Sequence, residues 1–292
     1  MKPTVKSAVF AFVTVLLWSS AFPITKFATV AFTPDVLGLL RCSLAAVILL
    51  IIGKINHIRG PEKPAHILFF MISGGMGFSL YMIFFNSGML TLTSATSSLI
   101  IATTPVLTAI GAAWFYREKI KPVGWCAIAA AFGGVAVLLL TDTSKGGLSG
   151  GSGLLWTMAA AFVFCCYNLM NRKLLSMGYS AVECVTMSMV CGALWLMPFA
   201  GQAVMQLASA PAYSIAATIY LGAMPSATAY LLWSNAMSLA KKTSDVSNFQ
   251  FLTQLLSTVM GFAMLREVPS AMTIAGGVII IISIVVFGLK GK

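Results

Sequence analysis

AWFYREKI, residues 113–120, and FAMLREVP, residues 262–269, each close an apolar run with an Arg-Glu pair. Glu118 and Glu267 stand 149 residues apart in a chain of 292, about half its length. The same offset lays Tyr81 on Tyr230 and Asn86 on Asn235. A neighbouring offset of 146 lays WSSAFPITK (18–26) over FCCYNLMNR (164–172) and pairs Lys26 with Arg172. The chain reads as one pattern written twice. Between the copies lies KGGLSGGSG, 145–153, a Gly/Ser segment that predicts a flexible joint. The expected units are residues 1–145 and 146–292.

Composition names the solvent. Hydrophobic residues are 59% of the chain, charged residues only 9%, and mean hydropathy is +0.95. A water-soluble fold of this size has no interior large enough to hide that much apolar surface, so its solvent is lipid. Lipid offers the backbone no hydrogen bonds, which leaves helices or a closed barrel. The apolar runs are long and do not alternate, so the prediction is an all-α integral membrane protein. Ten transmembrane helices are expected, at 7–30, 34–53, 66–88, 93–115, 122–140, 153–174, 180–200, 213–238, 245–265 and 270–289. The first is too long for a cleaved signal core and is expected to be retained.

Charge orients the spans. With the N-terminus placed in the cytoplasm, fourteen Lys and Arg fall in cytoplasmic segments and two, Lys145 and Arg266, on the other side. That bias predicts a multi-pass protein of the plasma (inner) membrane with both termini cytoplasmic. It also accounts for the net charge of +11 without nucleic acid. All six Cys lie in apolar segments without a Cys-x-x-Cys pair, and His57 and His66 belong to a basic loop, so no metal or cofactor is expected. Five spans per half is an odd number. The second half therefore enters the membrane from the opposite side, an arrangement typical of secondary transporters with a site between the repeats.

The residues also resemble a known family. Trp18-Ser-Ser, Arg41, Pro105, Arg117-Glu118 and Gly133-Gly134, with Arg266-Glu267 and Gly276-Gly277 in the second half, are similar to the EamA group of the drug/metabolite transporter superfamily. The resemblance covers essentially the whole chain. It implies a ten-helix exporter or facilitator of small metabolites, often amino acids, with a central cavity lined by spans 1, 3, 4, 6, 8 and 9. The chain departs from the pattern where Phe164 replaces a Trp, Gln254 stands opposite Pro105, and Arg41 lacks a basic counterpart.

Candidate substrate residues follow from polar groups inside spans. Ser247, Gln250, Gln254, Ser257 and Gly261 recur at spacings of 3 and 4 and form one helical face. Buried amides must find partners, either a substrate or another helix. Ser94, Ser97, Thr104, Thr108 and Gly111 form a similar face, and Pro105 frees the carbonyl of Ile101. Trp18 and Ser19, with Pro23 releasing the Ser19 carbonyl, read as a cavity wall or as packing. Tyr167 and Asn168 take the corresponding place in span 6 beside Asn171, and Tyr81, Asn86, Tyr230, Trp233 and Asn235 add further candidates. Arg41 lies roughly 10 Å along its helix from Pro34. It serves either a substrate carboxylate or a gate fastened to carbonyls or to Asp35. Lys26 and Arg172 are gating or steering charges, or side chains that reach the interface.

Ser180-Ala-Val-Glu183 reads as a capping box, and Asp35 and Asp245 as acids at helix starts. No carboxylate sits firmly at a span centre, which disfavours a proton-driven pump for cationic drugs. The substrate set expected to hold cargo is Trp18, Ser19, Tyr81, Tyr167, Asn168, Tyr230, Gln250 and Gln254. The expected activity is secondary transport of small polar metabolites, most favourably amino acids or related zwitterionic or anionic compounds. A proton-coupled antiporter and a channel are the alternatives. No filter loop and no catalytic constellation appears, so a channel and an enzyme are both disfavoured. Partners are the small-molecule substrate and the lipid bilayer.

Overall fold

The computed structural model describes residues 3–55, 57–141, 149–240, 246 and 248–291. Ser247, Asp245, Lys145 and most of the predicted joint lie outside the described residues. Among these residues the chain is helical throughout, without strands. In chain order the helices are α1 (Pro3–Ala28), α2 (Pro34–Ile55), α3 (Pro64–Met89), α4 (Ser94–Phe115) and α5 (Pro122–Thr141). There follow α6 (Ser149–Ser176), α7 (Ala181–Ser209), α8 (Ala212–Leu239), α9 (Leu252–Leu265) and α10 (Ala271–Lys290). Eight are long and apolar enough to cross a membrane, and stretches within α5 and at α9, Pro122–Leu138 and Phe249–Leu265, are shorter apolar helices.

Polarity is arranged for lipid. Val47, Ile51, Leu68, Leu155, Phe162, Ile219, Leu255 and Ile282 are exposed, whereas Ser19, Thr25, Ser73, Asn86, Ser97, Thr186 and Ser257 are buried. Inside, hydroxyls turn back on carbonyls of their own helix, as Thr25 does on Ala21 at 2.6 Å and Ser283 on Ile279 at 2.7 Å. Others cross between helices: Ser7 donates to the Ala236 carbonyl at 2.8 Å and Ser214 to that of Phe27 at 2.7 Å. Where lipid supplies no partner, these bonds satisfy the hydroxyls that make them, whereas those of Ser94, Ser97 and Thr186 are buried without a partner.

Breaks fall where proline or cap chemistry puts them. α4 is interrupted between Ile101 and Thr104, because Pro105 has no N–H for the Ile101 carbonyl. The Thr104 hydroxyl donates to that carbonyl at 2.7 Å. The capping box at Ser180 forms with both bonds in place, and Glu183 also accepts the Arg59 N–H at 2.7 Å, which ties the α2–α3 loop to α7. Two sequence boundaries are corrected. α7 does not end at 200: a 3-10 turn at Met197–Phe199, carrying Pro198, bends the chain into a further helix to Ser209, where Gln206 bonds Thr33 at the α1–α2 turn. The predicted joint is also shorter than expected, since Ser149–Gly153 already forms the first turn of α6. A Cβ at Gly153 would collide with Thr91 and Leu92, so the glycine lets α6 press onto the end of α3.

The helices pair in a definite way. α5 packs against α10 in one of the broadest contacts among the described residues, with Gly134 and Gly276 at the crossing. α2 packs on α7, α1 on α8 and α9, and α6 on α3 and α4. A core cluster joins α2, α3, α7 and α8 around Leu37, Leu49, Phe78, Met189 and Leu221.

Candidate functional site

Two helices widen at matching places. α3 contains a π turn at Gly75–Leu80 and α8 contains one at Met224–Thr228, each starting 149 residues from the other. Within them the Ser79 and Thr228 hydroxyls donate to carbonyls five residues back, Gly74 and Ala223, at 3.5 and 2.9 Å. Such turns are uncommon and concentrate at functional sites. Directly beyond them stand Tyr81 and Tyr230.

From these tyrosines runs a chain of touching rings. Trp233 lies 5.2 Å from Trp18, and Trp18 lies 5.6 Å from Tyr230. Tyr230 reaches Phe78 at 5.7 Å, Phe78 reaches Tyr167 at 5.2 Å, and Tyr167 stacks on Phe164 at 5.3 Å. Phe164 then meets Tyr81 at 4.8 Å. The Trp18–Tyr230 and Phe164–Tyr81 contacts are counterparts under the sequence repeat. Every aromatic residue predicted for the site is in this chain. Phe78, its middle link, went unrecognised; it is one more Phe in an apolar run, and only its neighbours distinguish it.

Most of the expected polar residues lie apart from the rings in their bonding. The Ser19 hydroxyl is spent on the carbonyls of Val15 at 2.6 Å and Thr253 at 3.3 Å, fastening α1 to α9. Its neighbour Ser20 instead meets the Tyr220 hydroxyl at 2.8 Å. Asn168 donates to Thr108 at 3.3 Å, joining the α4 and α6 faces. Gln254, Ser257 and Gly261, three members of the face expected from spacing, are buried, and Thr253 is buried beside them. Its amide nitrogen faces the carbonyls of Phe251 at 2.8 Å and Gln250 at 3.1 Å. Gln250 itself lies in a 3-10 turn before α9. Asn235 is exposed and bonds only its own helix, at Leu231, whereas Asn86 is fully buried. Two cavities, of about 360 Å³ beside Arg59 and Tyr179 and about 300 Å³ between α4, α5 and α6, are lined by none of the predicted site residues.

Arg41 occupies the meeting point of α1, α2, α3 and α8. It is 3% exposed, and its Nη1 faces Thr25 Oγ1 at 3.4 Å and Asn86 Oδ1 at 3.3 Å. Nη2 faces Ser226 Oγ at 3.4 Å, while Nε has no partner. Asn86 is held in turn by the Pro34 carbonyl at 2.9 Å. The suggested pair with Asp35 does not form: among the described residues the ion pairs are Lys26–Glu267, Arg59–Glu62 and Arg172–Glu118.

Two of those pairs are counterparts. Lys26, at the end of α1, binds Glu267 beyond α9; Arg172, near the end of α6, binds Glu118 beyond α4 at 2.7 Å. Each joins one half of the sequence to the other. Glu267 also accepts the Ser94 N–H at the start of α4 at 2.7 Å, so it shares an end of the molecule with that residue. Glu118 follows the opposite end of α4, whose 22 residues span roughly 30 Å. The Lys26 and Glu267 side chains are 26% and 13% exposed, those of Arg172 and Glu118 both 50%. Arg172 also lies over the Tyr116 ring at 4.3 Å.

The glutamates are aimed by matching caps. Arg117 and Arg266 both adopt the left-handed conformation, at φ 55° and 56°. The N–H after each bonds the carbonyl six residues back, Glu118 to Ala112 and Glu267 to Gly261. Each helix thus ends on a left-handed residue, the position that glycine usually fills. Arg266→Gly is therefore expected to leave the melting temperature in detergent nearly unchanged. Arg266→Val, β-branched at positive φ, costs about 1–2 kcal/mol in the same measurement.

The arrangement has known relatives. The model of the EamA-like transporter family matches residues 5–140 and again residues 151–289. The chain belongs to the EamA-like transporter family. It is 30% identical over 92% of its length, and 89% of the relative's, to the "Probable terminal-alkyne amino-acid exporter" of Streptantibioticus cattleyicolor. It is 25% identical over 90% of its length to the "Uncharacterized transporter YdfC" of Bacillus subtilis, covering 84% of that protein. An "Uncharacterized transporter" of Archaeoglobus fulgidus is 26% identical over 93% of this chain and 94% of its own. A crystal structure of a protein at 20% identity shares the fold, with a TM-score of 0.62 over 97% of this chain and 98% of that one. This EamA chain is thus a multi-pass membrane transporter.

Proposed function

We propose that this EamA transporter is a secondary carrier of small polar metabolites, amino acids or related zwitterionic and anionic compounds. It exports or facilitates them by alternating access between two inverted five-helix units, residues 1–145 and 146–292. The observation that carries the reading is the pair of cross-half ion pairs at opposite ends of α4. In an alternating-access machine one end closes while the other opens, and symmetry-related latches suit that cycle. The less exposed pair, Lys26–Glu267, is the closed latch and the half-exposed pair is the looser one. The family model's two matches and the helix pairing support the inverted units. Exchanging each helix for the one five places later returns the main pairings: α1–α8 becomes α6–α3, α1–α9 becomes α6–α4, and α2–α7 and α5–α10 map onto themselves.

Cargo is held by Trp18, Tyr81, Tyr167 and Tyr230, whose rings pack its apolar part, with Asn168, Gln250 and Gln254 on the polar walls; Ser19, its hydroxyl taken up by backbone carbonyls, fixes α1 against α9 behind them. Arg41 supplies the positive charge. The lysine and arginine bias supports cytoplasmic termini in the plasma membrane, which puts the Lys26–Glu267 latch on the outer side. The test is counterflow exchange of an amino-acid panel in proteoliposomes. Lys26→Glu sets two carboxylates against each other in a half-buried site and is expected to slow exchange at least tenfold. Adding Glu267→Lys to that variant restores most of it. An unchanged rate in Lys26→Glu removes the latch, and absence of exchange across the panel removes the transporter of amino acids.

A further inference from the structure

We propose that Arg41 anchors a carboxylate group of the cargo, an inference that rests on the transporter reading above. A buried guanidinium is costly unless an anion or dense hydrogen bonding repays its lost hydration. Here the repayment is poor. Arg41 is 3% exposed, and its contacts are two hydroxyls and one amide oxygen, all at 3.3–3.4 Å, at the long edge of hydrogen-bond range. Among the described residues, the titratable groups around it are the phenols of Tyr81 and Tyr230 and the Cys42 thiol, none of them a carboxylate.

The deficit has a direction. Nη1 is turned to Thr25 and Asn86, leaving the other edge of the fork, where Nε has no partner and Nη2 has only Ser226 at 3.4 Å. That edge offers two parallel N–H groups, the geometry a carboxylate accepts as a bidentate pair. Thr25 and Asn86 come from the first half and Ser226 from the second, so the charge sits on the seam that alternating access would open. Tyr81 and Tyr230, the two rings beyond the π turns, stand beside it. A ligand with a free carboxylate and a short apolar body would meet both features. An amide or a bare amine brings the guanidinium no negative charge and no pair of acceptor oxygens.

The purified protein is tested in detergent with four probes of one size: norvaline, norvalinamide, pentanoate and pentylamine. Thermal unfolding and the fluorescence of the native tryptophans are read in parallel. Norvaline and pentanoate are expected to raise the melting temperature and perturb the emission, at concentrations at least tenfold below those needed with norvalinamide or pentylamine. Arg41→Gln abolishes that discrimination and raises the melting temperature of the ligand-free protein, because it removes an unpaired buried charge. A purely structural arginine gives the opposite, a fall. Arg41→Lys, a point donor without the fork, binds the acids at least tenfold more weakly than the parent.

The anchor is overturned if the amide binds as well as the acid, if Arg41→Gln keeps the acid preference, or if none of the probes affects the parent protein. Its failure and that of the transporter reading are distinguishable. Equal counterflow of norvaline and norvalinamide, unchanged in Arg41→Gln, sinks the anchor and leaves transport standing. Acid-selective binding by a protein that exchanges no amino acid supports the anchor and sinks transport.

Discussion

Gly74→Val is expected to cost about 3 kcal/mol of stability in detergent, the upper end for forcing bulk into a packed interior. α3 and α7 meet there backbone to backbone. A Cβ on Gly74 would collide with the Ser188 carbonyl, and would lie 2.6 Å from the Gly192 nitrogen and 2.8 Å from Cys191 Cβ. Gly192 answers from the other side, where a Cβ would lie 2.6 Å from that of Phe78 and 3.0 Å from the Gly74 carbonyl. Side chains can rotate away, but these are mainly backbone atoms. Moving them would also break the Ser73–Ser188 hydroxyl contact and the bond from Ser79 to the Gly192 carbonyl, both 2.8 Å. The control is Gly133→Ala, where a Cβ meets nothing within 4 Å and helix propensity improves by about 1 kcal/mol. Thermal unfolding of the two variants beside the parent decides the matter. Equal stability of Gly74→Val and Gly133→Ala would show that α3 and α7 do not meet this closely.

Trp18→Ala is expected to reduce counterflow of the best amino-acid substrate at least tenfold, and Trp18→Phe far less. Trp18 is the first-half ring that joins Tyr230 to Trp233, so its loss opens a hole where three rings converge. Aromatic contacts of this kind contribute about 0.5–1.5 kcal/mol each beyond area burial, and two go at once. Phenylalanine keeps a ring in place. Ser19→Ala, next in sequence, is expected to change exchange little, since its hydroxyl serves backbone carbonyls. Size-exclusion profiles establish that each variant is folded before flux is compared. A larger loss from Ser19→Ala than from Trp18→Ala would reverse the assignment of the α1 face.

The outlines of these helices were legible because their causes are local. Apolar length, proline and the Ser180–Glu183 box mark where spans run and end, and the break at Pro105 fell where its missing N–H demands. The Arg-Glu helix ends at Glu118 and Glu267 were legible too, because charged pairs stand out at the close of an apolar run; that Arg172 and Lys26 would bind them was not. What stayed hidden depends on neighbours. Nothing around Ser19 announces that the Thr253 carbonyl will consume its hydroxyl. Nothing marks Phe78 as the link between Tyr167 and Tyr230. The extension of α7 past Pro198 was hidden because proline signals an end by itself, and only the contact of Gln206 with Thr33 shows why the chain turns and goes on.

Each π turn carries a surplus residue relative to a regular helix. Remove that residue and the ladder would close neatly, because the wide turn spends about five residues where a regular turn spends about four, so the side chains beyond it keep nearly the same heading. Tyr81 and Tyr230 would still face inward, while the five-residue bonds of Ser79 and Thr228 would be lost. In α3 and α8 a one-residue deletion inside the π turn is therefore absorbed, whereas the same deletion one turn away rotates everything beyond it by roughly 100°.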